Sequence, residues 1–251
     1  GTPVVLETRA EDDFRMTPQH LLEKLTPRTK AVILSYPNNP TSAVMERKDL
    51  ESIAEILRER EIYVISDEIY AELTYTDQGH VSIASLPDMR ERTIVVSGFS
   101  KAYAMTGWRL GYTAAPEAVS RQMLKIHQYA VMCPPTTSQY GAIEALRNCQ
   151  AAVGEMVTEY NRRRHLITEA FRGLGLPCFE PYGAFYIFPD IRRFGMSSEE
   201  FCADLLRQQH VALVPGTAFG RCGEGFARVS YAYSVKNINE AIRRIKLYME
   251  E

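Results

Sequence analysis

Three short apolar runs in this sequence are each followed by residues able to do chemistry. Asp67-Glu68-Ile69-Tyr70 comes after the run Ile62 to Ser66, setting a carboxylate at its end and a phenol shortly beyond. Gly98-Phe99-Ser100-Lys101 comes after Thr93 to Ser97, and Arg109 follows the lysine closely. Tyr36-Pro37-Asn38-Asn39-Pro40-Thr41 comes after Lys30 to Ser35. In that turn each X-Pro holds its neighbour extended, and Asn39 offers an amide as donor or acceptor. Taken singly, these are a stiff turn, a carboxylate capping a short helix and a solvated lysine. Taken together, they bring an amine, a carboxylate and a guanidinium to the ends of neighbouring strands, where ligands of open α/β sheets bind. That set suits a phosphorylated aldehyde. Lysine condenses with the aldehyde to a Schiff base, a carboxylate keeps a ring nitrogen protonated so that the ring accepts electrons, and arginine pairs with the phosphate.

The elements that must position these residues follow from apolar periodicity. Short strands alternate with amphipathic helices, the pattern of a mostly parallel sheet with helices on both faces. Thr17-Pro18 predicts a capped helix to about Leu25. Leu50, Ile53, Ala54 and Leu57 share one stripe of a helix within 46–61. Lys30 to Ser35 reads as a buried strand, Ile62 to Ser66 and Thr93 to Ser97 as two more. Trp108 to Ala114 returns too soon for a helical crossover, so it should run antiparallel. Helices are expected over 116–130, 136–147 and about 151–171. Beyond Gly173 the texture becomes α+β, with strands near 185–188, 211–214 and 226–231. A helix opens at Ser197, where Ser197-x-x-Glu200 matches a capping box, and a last helix covers about 238–249. These features predict a large domain over 1–150 and a smaller C-terminal domain over 151–251. The run Arg162-Arg163-Arg164 reads as a solvated helix face.

Composition narrows the chemistry further. The 251 residues are 45% apolar and 24% charged, the balance of a globular protein. Lys and Arg total 29 against 31 Asp and Glu, a net charge of -2, so no global field draws nucleic acid. Runs such as Ala31 to Leu34 fall far short of the roughly 18 residues a membrane-spanning helix needs. The cysteines at 133, 149, 178, 202 and 222 form no CxxC pair and read as reduced thiols of a cytoplasmic protein. The scattered histidines predict no metal site. GxGxxG, GxxxxGK and GxSxG are all absent, against dinucleotide binding, P-loop phosphoryl transfer and a hydrolase serine.

The stretch from Ser97 through Lys101, Trp108 and Arg109 to Tyr112 is the most specific of four segments that share one resemblance. With Tyr36 to Thr41, Asp67 to Tyr70 and Arg228-Val229-Ser230-Tyr231, it resembles, in order and spacing, the class I/II aminotransferases of the aspartate aminotransferase superfamily. These are fold type I pyridoxal-phosphate enzymes, and the likeness runs over almost the whole chain. The resemblance implies that Lys101 carries the cofactor, that Asp67 pairs with its pyridine nitrogen and that Asn39 and Tyr70 hydrogen-bond its phenolic oxygen. It implies further that Ser100 and Arg109 hold the phosphate, with Arg228, beside Asn39, binding the substrate α-carboxylate. Freed Lys101 would then move a proton from Cα as general base.

The reaction implied is transfer of an amino group from an L-amino acid to a 2-oxo acid such as 2-oxoglutarate. The same cofactor would also serve a C-S β-lyase or a cyclopropane-forming synthase, and a fragment could instead be a sensor module. The family carries a segment before the point matching Gly1, expected to supply a ring-stacking aromatic, part of the phosphate cradle and much of a homodimer surface. Its loss predicts weak cofactor binding. Two positions depart from the family pattern: Ser42, usually glycine, and Gly98, a serine in many members.

Overall fold

Burial of one face of the sheet strands and of one stripe of helices such as Arg47–Arg58 organises this chain, as seen in a computed structural model that describes residues 1–250. Contacts divide the chain into two units. The first comprises Gly1–Leu6, Met16–Pro37 and Val44–Met156; the second comprises Glu7–Arg15, Asn38–Ala43 and Val157–Glu251.

The first unit holds a sheet of β1 (Ala31–Ser35), β2 (Tyr63–Asp67), β3 (Thr93–Gly98) and β4 (Gly111–Ala114), in that order. The first three strands are parallel and β4 is antiparallel to β3, as the short return requires. Helix α1 (Pro18–Lys24) opens under a Thr17 cap whose hydroxyl accepts from His20 N at 3.2 Å. Helix α2 (Arg47–Arg58) forms the crossover from β1 to β2, closed at its start by the reciprocal Glu46 and Asp49 box. Its Leu50, Ile53, Ala54 and Leu57 are all buried with Val32, Leu34 and Val64. Each large side chain so buried contributes about 1.5–3 kcal/mol, which outweighs any propensity term in fixing α2. The crossover from β2 to β3 carries only single 3₁₀ turns, at Ile83–Ser85 and Arg90–Arg92.

Strand β1 differs from the expected fully buried strand. Its burial alternates, and Ile33 is 66% exposed while Leu34 is 2% exposed. An apolar run cannot by itself distinguish one covered face from two. Strand β4 starts at Gly111 rather than Trp108, because Thr106–Trp108 forms a 3₁₀ turn and Arg109 adopts a left-handed conformation at φ 54°. Helices α3 (Glu117–Ala130) and α4 (Thr136–Asn148) follow, then α5 (Gln150–Gly173), inside which the units divide.

The second unit has a small antiparallel sheet with β7 (Ala227–Ser230) between β5 (Tyr186–Ile187) and β6 (Val214–Pro215). Strand β6 covers only the end of the 211–214 run, since pairing with Ala227 and Arg228 begins at Val214. Helix α6 (Ser198–Gln209) carries the Ser197 and Glu200 capping box foreseen from sequence. Helix α7 (Val235–Glu250) buries Ile238, Ile245 and Tyr248 against Phe171, Phe201 and Leu205. The arginine run on α5 is not uniformly solvated. Arg162 faces water at 63% exposure, whereas the Arg164 side chain is 6% exposed and ion-pairs with Glu180. Three consecutive residues span about 200° of the helix circumference, so Arg162 and Arg164 point to different sides.

Candidate active site

Parallel pairing of β2 with β3 brings their carboxyl ends to one edge of the first unit's sheet. Asp67, the last residue of β2, lies opposite Val96 of β3, and Gly98 at the end of β3 lies opposite Gly111 of β4. Asp67, the turn bearing Lys101 and the start of β4 after Arg109 therefore share that edge. Asp67 is half-buried, and its carboxylate accepts from Ile69 N at 3.1 Å through Oδ1, a bond that does not use Oδ2. Tyr70 is buried, and Lys101 Nζ lies over its ring at 5.7 Å from the centroid. An ammonium at that distance is attracted by the ring face, which holds the amine near the phenol.

Ser100 and Arg109 are joined through one residue. Thr106 Oγ1 donates to Ser100 O at 2.7 Å, and Arg109 Nη1 donates to Thr106 O at 3.1 Å. The Arg109 guanidinium is exposed, and a guanidinium can pair with a phosphate through parallel N–H groups. Behind this turn β3 and β4 approach closely. A Cβ on Gly98 would stand 2.8 Å from Gly111 Cα, so a serine at Gly98 would have to part the strands.

Glu68 is a residue that sequence reasoning passes over. It follows the last residue of β2 and is buried. Its carboxylate accepts from Ser82 Oγ at 2.6 Å and Ser66 Oγ at 2.9 Å, and meets His80 Nε2 at 2.9 Å. Its main chain is held too, with N donating to Val96 O and O accepting from Ser97 Oγ. Burial alone would raise the carboxyl; the hydrogen bonds from His80, Ser82 and Ser66, with the charge of His80, outweigh it and hold Glu68 below the ordinary carboxylate value. The signal in the sequence is the pair Asp67-Glu68 itself: only one of two adjacent carboxylates can face a ligand, so the other needs internal donors.

In the second unit the structure brings Asn39 and Arg228 together, although they are far apart in sequence. Arg228 Nη1 donates to Asn39 Oδ1 at 2.9 Å. The guanidinium lies over the Tyr186 ring at 4.7 Å and the Phe219 ring at 4.9 Å. Arg228 Nε is buried and has no hydrogen-bond partner among the described residues. A buried charged donor left open in this way fits a site that takes an anionic acceptor from outside the chain.

The residues fit a phosphorylated pyridine aldehyde on their donor chemistry. An amine beside a phenol, a half-buried carboxylate, and a hydroxyl with an exposed guanidinium match an aldehyde, a ring nitrogen and a phosphate in turn.

Solved structures define the class. The aromatic aminotransferase from Pyrococcus horikoshii OT3 superposes with a TM-score of 0.97 at 46% identity, covering 100% of this chain and 68% of that one. The architecture is thus that of the fold type I pyridoxal-phosphate enzymes. The chain belongs to the aminotransferase class I and II family, which matches residues 1–245 and depends on pyridoxal phosphate. It is similar to the aspartate aminotransferase of Pyrococcus abyssi, 47% identical over 253 residues, covering 100% of this chain and 65% of that protein. It is also similar to the aromatic-amino-acid aminotransferase 2 of Thermococcus litoralis, 46% identical with the same coverage. This chain therefore spans about 65% of the length of these curated relatives.

Proposed function

We propose that the protein containing this chain is a pyridoxal-phosphate-dependent aminotransferase that moves an amino group from an L-amino acid to a 2-oxo acid such as 2-oxoglutarate. The observation that supports the reading most is the common sheet edge of Asp67, Lys101 and Arg109, with Lys101 Nζ held over Tyr70. When bound, the cofactor supplies an aldehyde that condenses with amines and a ring that accepts the electron pair left at Cα.

Each residue then has a physical task. Lys101 provides the amine that anchors the cofactor and, once released, takes the proton from the substrate Cα and returns it elsewhere as general base and acid. Asp67, whose Oδ2 is not engaged by Ile69, would keep a proton on the pyridine nitrogen. Tyr70 and Asn39 would hold the phenolic oxygen, while Ser100 and Arg109 would hold the phosphate. Arg228, with its open Nε, binds the α-carboxylate, and Asn39 steadies it through the bond to Nη1. The family resemblance extends the reading to a homodimeric, cytoplasmic protein.

The deciding experiment supplies full-length protein with pyridoxal phosphate, an amino acid and 2-oxoglutarate. A visible absorption band lost in Lys101→Ala, together with formation of glutamate, supports the reading. Absence of the band in wild type sinks it. Release of ammonia and pyruvate without an acceptor would assign the protein to C-S β-lyases instead.

A further inference from the structure

Ser42 is fully buried and adopts φ 61°, in the left-handed region where a residue with a Cβ is disfavoured and glycine is not. A non-glycine residue held there costs free energy that its surrounding contacts must offset. Here every polar group of the residue is engaged. Its N–H donates to Asn38 O and its carbonyl accepts from Gly183 N, each at 2.9 Å. Its Oγ accepts from Tyr186 N at 3.2 Å.

The last bond has a clear reason in the ladder. Tyr231 N donates to Phe185 O, and Tyr186 pairs with Ser230. In an antiparallel pair, hydrogen-bonded and non-hydrogen-bonded positions alternate, so Tyr186 N points away from β7. Ser42 Oγ is the acceptor that meets it. The Tyr186 ring in turn lies against the Arg228 guanidinium, whose Nη1 reaches back to Asn39 on the same turn as Ser42. Asn39, Arg228, Tyr186 and Ser42 thus close a circuit of contacts.

We propose that Ser42 is a positioning residue: by holding Tyr186 N, its hydroxyl sets the spacing between the Asn38–Ala43 turn and β5, and so the aim of the Arg228 guanidinium at a carboxylate. This rests on the reading of Arg228 as the carboxylate site. The hydroxyl touches neither substrate nor cofactor in this role. It acts only through Tyr186.

The test uses the full-length, cofactor-loaded protein with Ser42→Gly, Ser42→Ala and, as a control, Arg228→Lys. Ser42→Gly relieves the backbone but removes the acceptor; Ser42→Ala keeps the strain and removes the acceptor. Three quantities are read: KM against kcat, the equilibrium Kd for maleate as a non-reacting dicarboxylate, and Tm. Both Ser42 variants should raise KM and the maleate Kd about five- to tenfold, the loss of one hydrogen bond's worth of aim, with kcat within about twofold. Because the effect follows the acceptor, it should appear in Ser42→Gly even where Tm is kept. An unchanged maleate Kd in Ser42→Gly, with a raised Kd in Arg228→Lys, overturns the proposal alone. An unchanged Kd in Arg228→Lys overturns both the carboxylate role and the proposal built on it.

Discussion

Lys101 Nζ stands over the ring of buried Tyr70, 5.7 Å from its centroid, although the two residues leave different strands. The contact exists because β2 and β3 are parallel neighbours, so the turns after Asp67 and Gly98 emerge at the same edge. An amine so placed has a defined position before any ligand arrives, which lowers the ordering cost of binding one.

Replacing Lys101 tests the chemistry most directly. Lys101→Ala in the full-length protein should abolish the visible band of the loaded enzyme and lower kcat by about a hundredfold to ten-thousandfold, the usual worth of a positioned general base. Its Tm should stay within a few degrees of wild type, since the side chain is only half-buried.

Thr106 should influence phosphate affinity without touching the amine. Thr106→Val removes the hydroxyl that donates to Ser100 O and leaves the carbonyl that receives Arg109. One such bond is worth about 1 kcal/mol, so the Kd for pyridoxal phosphate should rise about fivefold, measured by titrating the apo-protein. An unchanged Kd would show that the turn holds its shape by other means.

Glu68 gives a pH dependence of stability whose sign is set by its lowered pKa. A carboxyl held below its unfolded value near 4.5 stabilises the fold above that value and loses the contribution as pH falls through the lowered folded value. Glu68→Gln should therefore cost about 1–3 kcal/mol near neutral pH. The gap to wild type should narrow on acidification below about pH 4.5, followed by urea unfolding. A gap that stays constant to acid pH would mean the carboxylate charge is not what the cluster of Ser66, His80 and Ser82 holds.

The Arg164 and Glu180 pair is nearly closed to solvent on the arginine side, at 6% exposure against 26%. Glu180 is shared with Arg172 at 2.8 Å, and Arg164 also donates to Asn161 Oδ1 at 2.8 Å. Removing the carboxylate breaks the ion pair of a buried guanidinium, so Glu180→Ala should destabilise by about 3 kcal/mol. Arg162→Ala, on the solvent side, should change stability by less than about 1 kcal/mol.

Much of the fold is legible in the sequence where a local rule decides it. Thr17-Pro18 and Ser197-x-x-Glu200 announce helix starts because capping involves only residues within one turn. The stripe of Leu50, Ile53, Ala54 and Leu57 announces α2 because helical period is a local property. The candidate site is legible in its residue types, since Asp67, Tyr70, Ser100 and Lys101 sit just after predicted strands; Arg109 falls inside the predicted strand 108–114, and only the structure moves it into the turn before β4. Glu68 escapes notice because its donors at His80 and Ser82 come from a loop that no periodicity describes.

By itself the sequence determined the chemistry on offer: the order of strands and helices, and the acid, amine and guanidinium at strand ends. Tertiary structure alone decided which distant groups meet. Arg228 reaches Asn39 and Ser42 reaches Tyr186 across long stretches of chain, and the Asn38–Ala43 turn belongs with the second unit rather than with β1, which it follows. Propensity and period act over a few residues, whereas these pairings are selected by burial and by the need of each buried donor for an acceptor, which only the closed fold supplies.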